Sequence, residues 1–235
     1  MSALEFHRFA DGLQLADALA CAVAADLARG TAARGHALLA VSGGRTPQRF
    51  LQALSQQKLD WAKIVVTLVD ERCVAASDAR SNEAFVRANL LQGAAQAARF
   101  VPLNPDSAAT PEIGAYAANA QVAMLDLPFD ALVLGMGEDG HTASFFPGGD
   151  NLDKATDTET DALVVSMRAS GAEVPRLTLT LPSILDSRAL YLHIEGDRKR
   201  EVLDAARYVA PGNRSYPISA VLRNARAPID VYWCP

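Results

Sequence analysis

His36-Ala37-Leu38-Leu39-Ala40-Val41-Ser42-Gly43-Gly44-Arg45-Thr46-Pro47 is the stretch on which the fold turns. Its first half is a short apolar run, the right length for a buried strand and too short for a buried helix. Gly43-Gly44 ends the run as a turn. Thr46-Pro47 then reads as a helix start, because Thr caps and Pro suits the first helical position.

The same alternation continues on both sides. Upstream, residues 12–29 have helical spacing after a candidate N-cap at Asp11. Downstream, Ile64 to Val69 reads as a second strand, Ser81 caps a helix to Leu91, and Phe100 to Leu103 reads as a short strand. Thr110-Pro111-Glu112 opens a helix to about Asp126, and Ala131-Leu132-Val133-Leu134 is another buried strand. Further strands are expected near 163–167, 176–181, 189–194 and 229–233, with a helix from Arg198 to Tyr208. Near-continuous apolar strands between helices predict a three-layer α/β fold, a mainly parallel sheet with helices on both faces. No repeat or long linker interrupts the chain, so residues 1–235 read as one domain. The Gly- and Asp-rich residues 148–162 are the candidate mobile loop.

Composition narrows the function. Half of the 235 residues are apolar and 21% are charged, which excludes a disordered chain. No apolar run is long enough to span a membrane, and Met1-Ser2-Ala3-Leu4-Glu5 does not open a secretory leader. A net charge of −5 argues against a nucleic-acid partner, although it leaves room for a local basic pocket. Cys21, Cys73 and Cys234 are scattered and the four histidines have no zinc spacing, so no metal or cofactor is expected. Sparse, odd thiols fit a reducing cytoplasm.

Ligands of parallel sheets sit beyond the C-terminal strand ends. Three unusual segments fall there. The first is Ser42-Gly43-Gly44-Arg45-Thr46, whose glycines let backbone N–H groups approach an anion at a helix N-terminus. It lacks the Walker pattern, and Ala40 breaks the Gly-x-Ser-x-Gly of a nucleophile elbow. The second is Asp70-Glu71-Arg72, three charges directly after an apolar strand. The third is Gly135-Met136-Gly137-Glu138-Asp139-Gly140-His141. Its Gly-x-Gly-x-x-Gly is not a dinucleotide fingerprint, because Pro147-Gly148-Gly149 leaves little room for a helix and two carboxylates would repel a pyrophosphate. The loop has a better use in His141. An imidazole's ordinary pKa, about 6.5, leaves it mostly neutral near pH 7, as a general base requires. His7, His36 and His193 read as terminal or strand residues. Arg176, at a strand start, and Lys199, one of only four lysines, at a helix start, are candidate anion ligands.

Taken in order, these pieces resemble the glucosamine-6-phosphate isomerase/6-phosphogluconolactonase family. The matching segments are Ser42 to Pro47, Asp70-Glu71-Arg72 with Ser81-Asn82, Gly135 to Pro147, Arg176 to Pro182 and Gly196 to Lys199. The resemblance implies the modified Rossmann-like sheet of the glucosamine-6-phosphate deaminase superfamily. In the deaminase branch the loop continues His-x-x-x-Asn-Glu-Pro, where this chain has Phe145-Phe146-Pro147, and a Tyr follows the Asp-Glu pair, where this chain has Arg72. Both differences favour the lactonase branch. The implied activity is that of a carboxylic ester hydrolase of the pentose phosphate pathway, opening 6-phospho-D-glucono-1,5-lactone to 6-phospho-D-gluconate. His141 is the implied general base. Ser42, Gly43, Gly44, Arg45, Thr46, Arg176 and Lys199 are the implied phosphate ligands. Arg72 serves either the phosphate or the oxyanion, and Asp139 or Asp70 orients the imidazole. The alternatives are a deaminase-like enzyme and a sugar-phosphate-binding regulator without turnover. The expected partner is a small sugar-phosphate lactone, bound by a monomer or small homo-oligomer.

Overall fold

The computed structural model describes residues 4–105, 108–208 and 216–235; Met1 to Ala3, part of the stretch read above for a leader, lie outside them. Its strands are β1 (Leu4–Arg8), β2 (Ala37–Val41), β3 (Ile64–Leu68), β4 (Asp70–Arg72), β5 (Arg99–Phe100), β6 (Ala131–Gly135), β7 (Val164–Met167), β8 (Arg176–Leu179), β9 (Leu190–Glu195) and β10 (Ile229–Cys234). Its helices are α1 (Gly12–Arg34), α2 (Gln48–Ser55), α3 (Asn82–Asn89), α4 (Pro111–Ala123), α5 (Leu152–Thr156), α6 (Leu181–Leu185), α7 (Asp197–Arg207) and α8 (Ile218–Asn224).

Seven strands form a parallel sheet in the order β1-β10-β9-β6-β2-β3-β5. All five residues of β2 are buried, as its unbroken apolar run requires. On one face Tyr191 of β9 donates its hydroxyl to Asp26 of α1, and Phe50 of α2 meets the edge of His193. On the other, Arg200 of α7 lies over Phe6 and Trp233. The expected three layers are therefore present. No described helix is long and apolar enough to cross a membrane.

Several local expectations hold for the reasons given. The Asp11 carboxylate accepts from the Leu13 and Gln14 N–H groups, Ser81 from Ala84 and Thr110 from Ile113. Others need correction. Thr46 does not cap α2, which begins at Gln48 without a side-chain cap. Residues 148–162 contain the short helix α5, whose Ala155 is buried. Asp70-Glu71-Arg72 does not end β3. It leaves the main sheet as β4 and joins an antiparallel sheet of order β4-β8-β7.

That small sheet shapes the ligand end of the molecule. Strand alternation sends Glu71 to one face and Asp70 and Arg72 to the other. The Glu71 carboxylate accepts from the N–H groups of Arg72, Asn82 and Glu83 and from the Ser81 hydroxyl, at 2.6–3.0 Å. It thereby serves the first orphan amides of α3. Burial pushes its pKa up, and these four donors pull the other way. Removing the carboxylate strands several buried donors at once. Glu71→Ala is expected to lose about 2–3 kcal/mol of stability in urea unfolding; an unchanged midpoint would show that α3 does not depend on it.

Candidate active site

Between β2 and β6 the sheet order reverses: the chain runs outward through β3 and β5 on one side and through β9 and β10 on the other. A crevice opens at such a point. Here it is a cavity of about 390 Å³, lined from every segment singled out in the sequence: Ser42 to Thr46, Asp70 and Arg72, Gly135 to Gly137 with His141, Arg176, and Lys199. Asp139 is outside the lining, directly behind His141.

The His141 loop is built around one close approach. His141 Nδ1 lies 2.6 Å from Asp139 Oδ1, and the same oxygen accepts the His141 backbone N–H at 3.1 Å. The imidazole packs on Phe146 with ring centroids 4.7 Å apart. Its bond to Asp139 holds that carboxyl below the usual range. A Cβ on Gly137 would sit 2.3 Å from the imidazole, so only glycine leaves room for the ring. No helix starts within the motif, as its failure to match a dinucleotide site requires; the loop closes instead through Gly137 N–H to the His141 carbonyl and a bridge between Thr142 and Phe145.

Asp70 stands nearby but is already engaged. Its Oδ2 accepts from the Ser144 hydroxyl at 2.6 Å, and Asn82 Nδ2 lies 3.4 Å from Oδ1 and 2.8 Å from the Asp70 carbonyl. Of the two carboxylates, Asp139 is the one within hydrogen-bond distance of the imidazole. Asp70 ties the His141 loop to α3.

The loop after β2 differs from expectation in its hydroxyls. Ser42 Oγ donates to the Val133 carbonyl and accepts from Gly135 N–H, both at 3.1 Å, so it clamps β2 to β6 and is no exposed nucleophile. Thr46 Oγ1 faces Lys199 Nζ at 3.4 Å. The notable feature is the backbone: the N–H groups of Gly43, Gly44, Arg45 and Thr46 have no acceptor among the described residues. Gly43 is held tightly, because a Cβ there would meet Asn82 Oδ1 at 2.0 Å.

The cations converge on this end. Arg72 and Arg176 are direct partners across β4 and β8. Like charges so placed repel. The Nε of each is buried with no partner among the described residues. Arg72 also donates to the Arg80 carbonyl, and Arg176 lies 5.8 Å over the Phe146 ring. Burial draws the Arg176 pKa down; Asp70 draws it up and Arg72 down again. Lys199, in the first turn of α7, is likewise lowered by burial and supported by Glu195 and Glu138. Arg45 is exposed at the rim.

Asn82, Phe146 and His193 also line the cavity and were not among the expected ligands. His193 carried a signal: it lies at the C-terminal end of a parallel strand, just before Gly196-Asp197-Arg198-Lys199. Away from the cavity lining, Glu5, His7 and Asp230 bring three possible metal-ligand atoms within 4.8 Å of one another at the sheet edge, a grouping that spacing in sequence does not reveal.

Comparison with known proteins agrees with this geometry. The family described as glucosamine-6-phosphate isomerases/6-phosphogluconolactonase matches residues 10–233. A 6-phosphogluconolactonase of Rhizobium meliloti (strain 1021) is 51% identical over 230 residues, covering 97% of this chain and 98% of its own. That of Pseudomonas aeruginosa PAO1 is 43% identical over 217 residues, covering 92% and 89%. The crystal structure of a 6-phosphogluconolactonase from Shewanella baltica OS155 superposes with a TM-score of 0.94 at 40% identity, covering 99% of this chain and 98% of that one.

The Gly137 contact yields a direct test. Gly137→Ala is expected to stay folded while the imidazole leaves Asp139, read from the ¹⁵N shift of His141 Nδ1. An undisturbed pair in the folded variant would contradict the steric account.

Proposed function

Because the chain belongs to the glucosamine-6-phosphate isomerase/6-phosphogluconolactonase family, we infer that it hydrolyses 6-phospho-D-glucono-1,5-lactone to 6-phospho-D-gluconate. The observation that carries this reading is that His141, hydrogen-bonded to Asp139 behind it, lines one cavity with Arg72, Arg176, Lys199 and the Ser42–Thr46 loop. Residues 1–235 are read as one lactonase-like unit, supported by the match from residue 10 to 233. A cytoplasmic location is supported by three free thiols.

A lactone carbonyl needs an activated water and a place for the oxyanion. With Nδ1 engaged by Asp139, His141 Nε2 takes the proton of the attacking water. Water oxygen bonds to C1 and the carbonyl pair moves onto its oxygen. Collapse of this tetrahedral species breaks the bond from C1 to the ring oxygen, which receives the proton back from His141. Asp139 fixes the tautomer and stabilises the transient imidazolium, a positioning part. Arg176, Lys199 and the amides of Gly43 to Thr46 hold the phosphate, with Arg45 adding charge at the rim. Arg72 faces the same cavity and supplies cationic potential to phosphate or oxyanion. Ser42 and Asp70 contribute by holding the loops in place.

The deaminase-like alternative is disfavoured by Phe146. It stands at the sequence position where the deaminase branch carries its Glu, its ring packs on the imidazole, and Asp139 is the carboxylate bonded to His141. A regulator without turnover would have no use for that hydrogen-bonded pair.

The reading is tested by a coupled lactone-hydrolysis assay, corrected for spontaneous opening, with glucosamine 6-phosphate as the control substrate. Turnover of the lactone and none of the amine is expected; the reverse would place the chain in the deaminase branch. His141→Ala is expected to fold and lose about 10²–10⁴-fold in kcat, and near-parent kcat would remove His141 from the mechanism. Arg176→Ala and Lys199→Ala should each weaken 6-phosphogluconate binding by about 1.5–3 kcal/mol, with little change for unphosphorylated gluconate. Equal affinity for 6-phosphogluconate in parent and variants would mean that the phosphate lies elsewhere.

A further inference from the structure

His193 is 2% exposed and yet lines the cavity. It stands on β9 beside Gly135, where β6 gives way to the His141 loop. Its Nε2 lies 3.1 Å from Glu195 Oε1, on the same face of the strand. Its Nδ1 is buried with no partner among the described residues. A neutral imidazole carrying its proton on Nε2 gives its single N–H an acceptor. A second proton would put a buried N–H on Nδ1 with nothing to receive it. The contacts therefore place an Nε2 proton where Glu195 accepts it.

Glu195 ends β9, and one glycine separates it from α7, whose first turn carries Lys199. Three basic groups from different elements act on the Glu195 carboxyl and keep it below the usual range: His193 first, then Arg49 at the start of α2 and Lys199. Arg49 Nη1 and Glu195 Oε2 both lie beside Gly12 of α1, where a Cβ would meet them at 2.8 and 3.1 Å. Lys199 in turn points its ammonium at Thr46, at 3.4 Å, in the loop of unpaired amides. His193 thus engages Glu195 while Lys199 faces Thr46, and no Glu195–Lys199 ion pair forms among the described residues.

We propose that His193 is a positioning residue for the phosphate end of the site: its Nε2–H anchors the Glu195 carboxylate, and the carboxylate so held leaves the Lys199 ammonium to Thr46 and the Gly43–Thr46 amides. This rests on the reading that Lys199 receives the substrate phosphate. Without the anchor, the Glu195 carboxylate is free to swing to Lys199 and compete with the phosphate for its charge. The loss then falls on binding of phosphorylated substrate and spares the chemistry at His141.

The test compares kcat and KM for 6-phosphogluconolactone and for unphosphorylated glucono-1,5-lactone in parent, His193→Leu, His193→Gln, Lys199→Ala and the His193→Leu/Lys199→Ala double variant. His193→Leu is expected to raise KM for the phosphorylated lactone about 3- to 10-fold, the scale of one coupling between neighbours. Its kcat should stay within about twofold, and its action on the unphosphorylated lactone should not change. His193→Gln, which keeps a side-chain N–H for Glu195, should recover most of the loss, and the double variant should be no worse than Lys199→Ala. An unchanged KM in folded His193→Leu overturns the proposal, as does an equal loss on both lactones or a full additional loss in the double variant. If Lys199→Ala itself leaves KM unaltered, the underlying phosphate placement fails. Should the leucine variant not fold, the parent decides: ¹⁵N shifts that place a proton on Nε2 of His193 support the proposal, and an imidazole protonated on Nδ1 alone rejects it.

Discussion

The ligand end of this molecule depends on two adjacent carboxylates, Asp70 and Glu71, pointing to opposite faces of the three-residue strand β4. Carboxylates this buried are tolerable only with donors around them. Glu71 finds four, three of them in the turn that opens α3. Asp70 finds Ser144, three residues beyond His141, and Asn82, against which Gly43 packs. The anion loop, the histidine loop and α3 are far apart in sequence, and these hydrogen bonds fix them relative to one another. The same strand sets Arg72 opposite Arg176, so the element that organises the site also brings two of its cations together.

That meeting of cations is a local violation of good pairing. Two arginines pair across a ladder, each with a buried Nε that has no partner among the described residues, and a half-buried ammonium faces Thr46 in a loop whose four backbone amides have no acceptor among them. Such an arrangement is costly when empty, and an anion relieves it. Structures keep costly arrangements of this kind where function requires them. On the proposed reading a dianionic phosphate would meet the amides, the ammonium and the guanidinium groups together, leaving the neutral part of the substrate beside His141.

Much of this was legible from the sequence because the signals are local. Capped helix starts at Asp11, Ser81 and Thr110 follow from side chains that reach their own backbone amides. The apolar runs of β2, β3, β6 and β9 announce a parallel sheet. The strand-end segments Ser42 to Thr46, Asp70 to Arg72 and Gly135 to His141 then fall into one cavity, because parallel strands share one C-terminal edge. What escaped was long-range pairing. β1 is an edge strand whose partner, β10, lies at the other end of the chain, and β4 pairs with β8, far along the chain. Thr46 looked like a cap because Thr-Pro usually is one, yet tertiary contact with Lys199 claims its hydroxyl. His193 read as an ordinary strand residue, since nothing nearby in sequence announces that a second strand's loop opens beside it.

The central claim is that neutral His141, oriented by Asp139, is the base that activates water. Its most direct test is the pH profile of kcat/KM for 6-phosphogluconolactone, corrected at every pH for spontaneous opening, in the parent and in His141→Ala. Asp139 is already held in its ionised form by the imidazole, so the acid-side change belongs to His141 taking up a proton. The account predicts that parent activity falls on the acid side and that this limb is missing from the low, flatter profile of the variant. A corrected parent profile that is highest in acid and falls towards neutrality would contradict it, because the imidazolium would then be the active form.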